Sequence, residues 1–150
     1  MNWSSLLRYR SNIDDVGVRL RLQILQRWLA VIGQSVAVIL VGTVLDFEFP
    51  FLEIGFTIAI SALLNLWLSV QYPRSHILSD AEALVFFAYD LIQLGVLLFL
   101  TGGLANPFAL LILAPISLAA TVMRGRATIA LVFLAIAIVT LLRHFYMPII

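Results

Sequence analysis

The side chains of this sequence that could take part in chemistry are a few polar groups set within long apolar runs. Asp90 is the acid that lies deepest in such a run, and Gln93 follows it one helical turn later on the same face. At a helix rise of about 1.5 Å per residue, Gln34, Asn65 and Ser117 lie about 8 to 9 Å from the same end of their runs as Asp90 does. The sequence therefore predicts that these five side chains share one polar layer within a helix bundle.

The shared depth of these residues could be a coincidence of the chosen helix limits. If it is not, the polar layer has two interpretations. Polar side chains inside a membrane are costly, and they mark contacts between helices or functional sites. Interhelical hydrogen bonds, worth about 0.6 kcal/mol each on average, would fix the register of the helices. The alternative is a proton or ligand relay centred on Asp90.

A short loop between the third and fourth apolar runs carries the second group of candidate residues. Gly102 and Gly103 suit a helix end with positive φ, Asn106 suits an N-cap, and Pro107 suits a first helical turn, which predicts a tight turn. The same residues also suit a ligand. The glycines would let a flat ring approach the backbone, Asn106 could donate to a carbonyl oxygen, and Phe108 offers a face for stacking. At a lipid–water boundary such a loop fits a quinone.

The composition shows what must position these residues. The chain has 150 residues, of which 63% are apolar and 11% are charged, and its mean hydropathy is +1.08. Soluble domains carry about 25% charged residues, so a soluble enzyme, a disordered tail and a nucleic-acid-binding module are excluded. There is no cysteine, and the two histidines, His76 and His144, lie far apart, so no metal site is predicted. The chain is predicted to be an integral membrane protein.

Five apolar runs approach or reach the length of about 20 residues that a spanning helix needs. They predict an all-α, polytopic membrane helix bundle. The fourth run is short, and Pro115 within it should kink it. A cytoplasmic N-terminal segment, residues 1–27, is predicted to precede the membrane domain, residues 28–150. The predicted spans cover residues 28–45, 51–70, 84–101, 108–123 and 128–146.

The arginines predict the orientation. With the N-terminus in the cytoplasm, eight of the nine basic residues lie on the inner side and only Arg143 lies outside, as the positive-inside rule requires. The two outer loops are then residues 46–50 and 102–107. The basic stretch that ends at Arg27 is predicted to lie at the inner headgroup layer, where its arginines meet anionic lipid. A signalling role for this stretch is the alternative.

The sequence Gly102-Gly103-Leu104-Ala105-Asn106-Pro107-Phe108 resembles the Gly-Gly-x-x-Asn-Pro-Phe signature of the RegB/PrrB/ActS family of bacterial redox-sensing histidine kinases. The resemblance continues through flanking sequence and covers the chain from about Arg19 onward. The flanking matches are Arg19-Leu20-Arg21-Leu22, Arg27-Trp28-Leu29-Ala30-Val31, Gly33-Gln34, Ser61-Ala62-Leu63-Leu64-Asn65-Leu66 and Asp90-Leu91-Ile92-Gln93-Leu94.

This resemblance implies a six-helix sensor domain in the bacterial inner membrane, followed by a cytoplasmic kinase that phosphorylates a response regulator. It implies a homodimer with ubiquinone as the sensed ligand. By residue-for-residue carry-over, the quinone contacts are Gly102, Gly103, Asn106, Pro107 and Phe108. A sixth helix, a phosphoacceptor histidine segment, ATP-binding motifs and the redox-active cysteine of the family have no counterpart in this sequence. These 150 residues are therefore expected not to be an enzyme, and to be at most the sensing half.

The sequence leaves two other functions open. A small proton-coupled transporter could use Asp90, but the sequence has only one deep acid and no sign of an inverted repeat. A non-enzymatic assembly subunit is the third possibility, and no residue pattern speaks for it.

Overall fold

The computed structural model describes residues 3–44, 50–72 and 78–148, with side chains from residue 21 onward. Residues 45–49 and 73–77, which include His76 and most of the first predicted outer loop, lie outside this range, as do the side chains of the first arginines. The described residues form helices and no strand, which confirms the all-α class. The α-helices are α1 (Trp3–Val44), α2 (Phe51–Gln71), α3 (Asp80–Leu100), α4 (Leu113–Val122) and α5 (Gly125–His144).

Four of these helices contain segments long and apolar enough to cross a membrane. Three of the segments are complete helices, whereas the first occupies only the second half of α1. They are Arg21–Val44, Phe51–Gln71, Asp80–Leu100 and Gly125–His144.

The predicted fourth span takes a different form. A 6-residue 3-10 segment, Pro107–Ile112, precedes the 10-residue helix α4. Pro115 has no N–H to donate to the carbonyl of Leu111, so the regular α-helical bonding is interrupted there. Short 3-10 turns are common at helix starts, and this one fills the stretch before α4.

One helix contains both the predicted N-terminal segment, from Trp3, and most of the first predicted span. Helix α1 runs without a break for 42 residues, and Trp28 lies within it. No proline interrupts residues 3–44, which is consistent with one continuous helix.

Helix α3 lies at the centre of the bundle. It packs against α2, α4 and α5, whereas α1 packs against α2. Its inward face carries Phe87, Leu91, Leu94 and Leu98, spaced by three or four residues, and all four are buried. At Gly95 helix α5 approaches closely, because a Cβ there would lie 2.8 Å from Cγ2 of Ile138. The central position of α3 places Asp90 and Gln93 within reach of several helices.

Candidate functional site

A buried ion pair joins α1 and α3. The Nε of Arg27 donates to Oδ1 of Asp90 at 2.8 Å, and the two side chains are 3% and 12% exposed. A second guanidinium nitrogen donates to the backbone carbonyl of Phe86 at 3.3 Å. The guanidinium carbon also lies 5.7 Å and 5.5 Å from the ring centres of Phe86 and Tyr89, at cation–π distance.

This pair corrects the interpretation of Arg27 as a lipid-facing anchor. A buried carboxylate needs an opposite charge, because the cost of leaving it unpaired in a low-dielectric interior is several kcal/mol. Asp90, the only acid deep within a predicted span, therefore pairs with Arg27, the last arginine before the first span. The sequence contained two signals for this. Arg27 lies seven residues before Gln34, hence on the same helix face, and Asp90 had no other obvious partner.

A chain of side-chain hydrogen bonds crosses three helices beside the ion pair. The hydroxyl of Ser61 on α2 donates to Oε1 of Gln93 on α3 at 2.8 Å. The Nε2 of Gln93 then donates to Oε1 of Gln34 on α1 at 3.2 Å. Ser61 is fully buried, and Gln93 is 8% exposed. The structure thus brings Gln34 and Gln93 into direct contact, and it adds Ser61, which the sequence reasoning missed although it lies one turn from Asn65. We call this series the polar chain.

Asn65 makes a separate contact between α2 and α1. Its Nδ2 donates to the backbone carbonyl of Ile24 at 3.4 Å, and its fully buried Oδ1 has no hydrogen-bond partner among the described residues. Like the ion pair and the polar chain, this bond ties α1 to its neighbours.

Ser117 is not brought to these residues. Its side chain is exposed on α4, and within the described part of the chain it has no hydrogen bond to the other four. The prediction counted only the depth of Ser117 along its run, and depth does not determine which face of a helix a residue occupies. Pro115 and Ala119 face inward instead.

The loop that carries the family-like signature, residues 102–108, has the predicted turn geometry, and we call it the signature loop. Gly102 and Gly103 have φ values of 96° and 64°, which L side chains rarely adopt. Asn106 caps the 3-10 segment, because its Oδ1 accepts from the Phe108 amide at 2.9 Å. Its Nδ2 donates to the carbonyl and the hydroxyl of Thr101 at 3.1 Å and 2.8 Å. Both oxygen and nitrogen of the Asn106 side chain are therefore engaged within the loop.

The chain itself covers Gly103. A Cβ added there would lie 2.7 Å from Cβ and 2.9 Å from Cγ of Tyr146, the second residue after α5. The next amide, that of Met147, donates to the carbonyl of Phe99 at the end of α3 at 2.8 Å. The close approach that glycine permits at this position is thus made by a tyrosine of the same chain.

An apolar cavity of about 430 Å³ lies over α3, between α1 on one side and the 3-10 segment with α4 on the other. Its polar end is formed by Arg27, Asp90, Gln34 and Gln93, with Gln26 beside them. Its other end is formed by the signature loop, where Asn106 and Phe108 line it with Thr101. From Gln93 to Thr101 the cavity extends about 12 Å along α3. Gly102, Gly103 and Pro107 belong to the loop but do not line the cavity.

Comparison with known proteins identifies the family. The sensor histidine kinase RegB of Cereibacter sphaeroides is 39% identical over 132 residues, which is 88% of this chain. The chain belongs to the RegB family of sensor histidine kinases. A second RegB of the same species is 40% identical over 77 residues, covering 51% of the chain and 17% of that relative. No family model and no solved structure matches the chain.

The match spans only 29% of the first RegB relative. Together with the four long apolar helices, it makes the chain a multi-pass membrane protein related to the membrane sensor kinases of this family.

Proposed function

We propose that this chain is the redox-sensing membrane part of a RegB-family histidine kinase, which binds ubiquinone and passes its redox state to a cytoplasmic kinase domain. The observation that carries the proposal is that Asn106 and Phe108, two residues of the family signature, line the 430 Å³ cavity. A sequence signature and a cavity of ligand size thus coincide at one place.

The cavity suits an isoprenoid quinone in size and polarity. Its volume falls within the range of about 300–1,000 Å³ that is usual for small-molecule sites. Leu94, Leu97 and Leu98 of α3 give it an apolar wall, and a small number of amide and charged groups lie at one end. Such a site buries an apolar ring and tail while a few polar groups fix the orientation of the ring.

The signature residues have different roles in this proposal. Phe108 offers the ligand an aromatic face at the loop end of the cavity. Asn106 holds the amide of Phe108 and thereby sets the position of that aromatic ring. Gly102 and Gly103 allow the turn to form and Pro107 begins the 3-10 segment, so these three shape the loop rather than touch the ligand.

The proposed signal is a difference in binding free energy between oxidised and reduced ligand. A ligand shifts a two-state helix arrangement only by the difference between its affinities for the two states. A difference of about 1.4 kcal/mol changes the population ratio tenfold. In this scheme the N-terminus is cytoplasmic, the signature loop faces outward, the sensor is a homodimer, and the kinase domain acts on a response regulator.

Binding of a short-chain ubiquinone to the chain in lipid nanodiscs tests the proposal. Phe108→Ala should weaken binding about tenfold, because it removes the aromatic contact and leaves part of the cavity unfilled. Phe133→Ala is the matched control, since Phe133 is 68% exposed on α5 and does not line the cavity. Equal affinities of the two variants would contradict the proposed site.

Proton-coupled transport through Asp90 is not proposed. The carboxylate is held by Arg27 at 2.8 Å, so it is not the unpaired acid that such a transporter would use.

A further inference from the structure

Both hydrogen bonds of the polar chain point the same way, from Ser61 towards Gln34 at the cavity. Ser61 donates to Gln93, and Gln93 donates to Gln34, so the oxygen of the Gln34 amide is occupied and its NH2 group is left over. Within the described residues this NH2 group has no hydrogen-bond partner. Gln34 is half-buried and lines the cavity. The polar chain therefore leaves an unused hydrogen-bond donor, the NH2 group of Gln34, at the cavity.

We propose that the NH2 group of Gln34 is the contact for the ligand head group, and that it donates to a carbonyl oxygen of the quinone ring. This inference rests on the proposed function, because it names the residue that forms a hydrogen bond with the proposed ligand. The ring would lie near the polar end of the cavity, with its tail along the apolar wall towards the signature loop.

The local packing leaves room for a ring beside Gln34. The neighbouring Gly33 has no heavy atom within 4 Å of the position that a Cβ would occupy. The same face of α1 presents the small side chains of Ala30 and Ala37 to the cavity. A flat head group can therefore approach this part of α1 more closely than the leucine-lined face of α3.

The amide of Asn106 has no donor left for a ligand, because both of its N–H groups go to Thr101. Both polar atoms of Gln93 are in the polar chain, and the Arg27 guanidinium is bonded to Asp90 and to the Phe86 carbonyl. Hydrogen bonds arranged in series polarise one another, which makes the terminal NH2 of Gln34 a stronger donor than an isolated amide. Gln26 also lines the cavity outside any such series, and its buried Oε1 has no partner among the described residues.

The direction of the polar chain also gives a preference for one redox form. A quinone carbonyl only accepts hydrogen bonds and fits the NH2 group of Gln34, whereas a quinol hydroxyl also donates and needs an acceptor. In the structure the hydroxyl of Ser61 donates to the oxygen of Gln93, which leaves the nitrogen of Gln93 to face Gln34. Ser61 is thus a positioning residue, which acts on the ligand through two amides.

The test measures binding of decyl-ubiquinone and decyl-ubiquinol to the chain in nanodiscs. Gln34→Leu keeps a similar side-chain volume and removes the donor, and it should weaken quinone binding about tenfold with a smaller effect on quinol. Gln71→Leu is the matched control, because it removes a glutamine amide that is exposed on α2 and does not line the cavity, and it should leave quinone affinity unchanged. Unchanged binding to Gln34→Leu, or a larger loss when the neighbouring amide is removed in Gln26→Leu, would overturn the inference.

The role of Ser61 has its own readout. Ser61→Ala frees the amide of Gln93 to reverse, so that Gln34 can also present its oxygen to a hydroxyl. The ratio of quinone to quinol affinity should then fall towards one, a change that a purely structural loss would not produce because it would weaken both ligands alike. An unchanged ratio would overturn this step.

A cavity-filling pair separates failure of this inference from failure of the proposed function. Gly33→Leu fills the cavity without removing a hydrogen bond and should abolish binding. Gly55→Leu makes the same change on α2, where a Cβ also meets nothing within 4 Å and the residue does not line this cavity. If Gly33→Leu and Phe108→Ala lose binding while Gln34→Leu keeps it, the cavity is the quinone site and Gln34 is not its contact. If Gly33→Leu binds like wild type, the proposed function itself fails.

Discussion

The guanidinium of Arg27 and the carboxylate of Asp90 meet at 2.8 Å between α1 and α3, and both side chains are almost fully buried. This is the one contact between opposite charges that the structure places inside the bundle among the described residues. The polar chain lies one to two turns further along the same two helices, so charge pairing and amide bonding together hold α1 against α3 beside the cavity.

Removal of one partner of this ion pair should be strongly destabilising. Asp90→Leu leaves the Arg27 guanidinium buried without its counter-charge, and we expect a loss of about 3–5 kcal/mol in the free energy of unfolding. The double variant Arg27→Met with Asp90→Leu should recover much of this loss, since no charge remains unpaired. Unfolding in mixed detergent micelles measures both.

The surface ion pair between Arg124 and Asp80 is the matched control. Its atoms lie 3.4 Å apart, but the side chains are 91% and 39% exposed. Arg124→Ala should therefore cost less than about 1 kcal/mol. If Asp90→Leu lowers the free energy of unfolding no more than Arg124→Ala does, the buried ion pair is no more important for stability than the surface pair.

Gly103 should not tolerate a side chain. Gly103→Ala forces an L residue to φ of 64° and brings its Cβ to 2.7 Å from Tyr146, so the free energy of unfolding should fall by at least about 1–2 kcal/mol. Gly125→Ala, at the first residue of α5 where a Cβ meets nothing within 4 Å, should leave stability unchanged or slightly higher. Comparable stabilities of these two alanine variants would contradict the packing of Tyr146 on the loop.

Asn106 should act on stability as well as on binding. Asn106→Ala removes the cap of the 3-10 segment and both bonds to Thr101, and should cost about 1 kcal/mol. Asn106→Asp keeps the oxygen that accepts from Phe108 and should retain part of this stability. The same unfolding assay checks the order wild type, Asp, Ala, and an Ala variant as stable as wild type would contradict the capping role.

The close approach of α3 and α5 at Gly95 predicts coupling with Ile138. Gly95→Ala places a methyl group 2.8 Å from Cγ2 of Ile138, so the helices must separate or the isoleucine must move. In a double-mutant cycle with Ile138→Ala, we expect a coupling energy of about 0.5–3 kcal/mol. Additive effects of the two changes would mean that the helices are not packed at this point.

Much of the architecture could be predicted because long apolar runs and turn residues act locally. The apolar runs gave the long helices, and Gly102, Gly103 and Asn106 gave the turn, since positive φ and capping depend on a few adjacent residues. The position of Ser117 could not be predicted in this way. It depends on which face α4 turns towards the bundle, and the depth of a residue along its run does not contain that information.

The site required information that no single segment contains. Arg27 ends a basic stretch, so its position along the chain favours an interfacial role, and its contact with Asp90 exists only in the folded bundle. The direction of the polar chain likewise depends on Ser61, Gln93 and Gln34 meeting across three helices. The cavity is a property of the space between helices, which spacing along one sequence cannot show.

Tyr146 and Met147, which follow α5, attach the end of that helix to the signature loop and to the end of α3. The amide of Met147 is bonded to the carbonyl of Phe99, and Tyr146 packs against Gly103. A displacement of the loop must either break these attachments or drag the end of α5 along. The position of the signature loop is therefore coupled to the position of the end of α5.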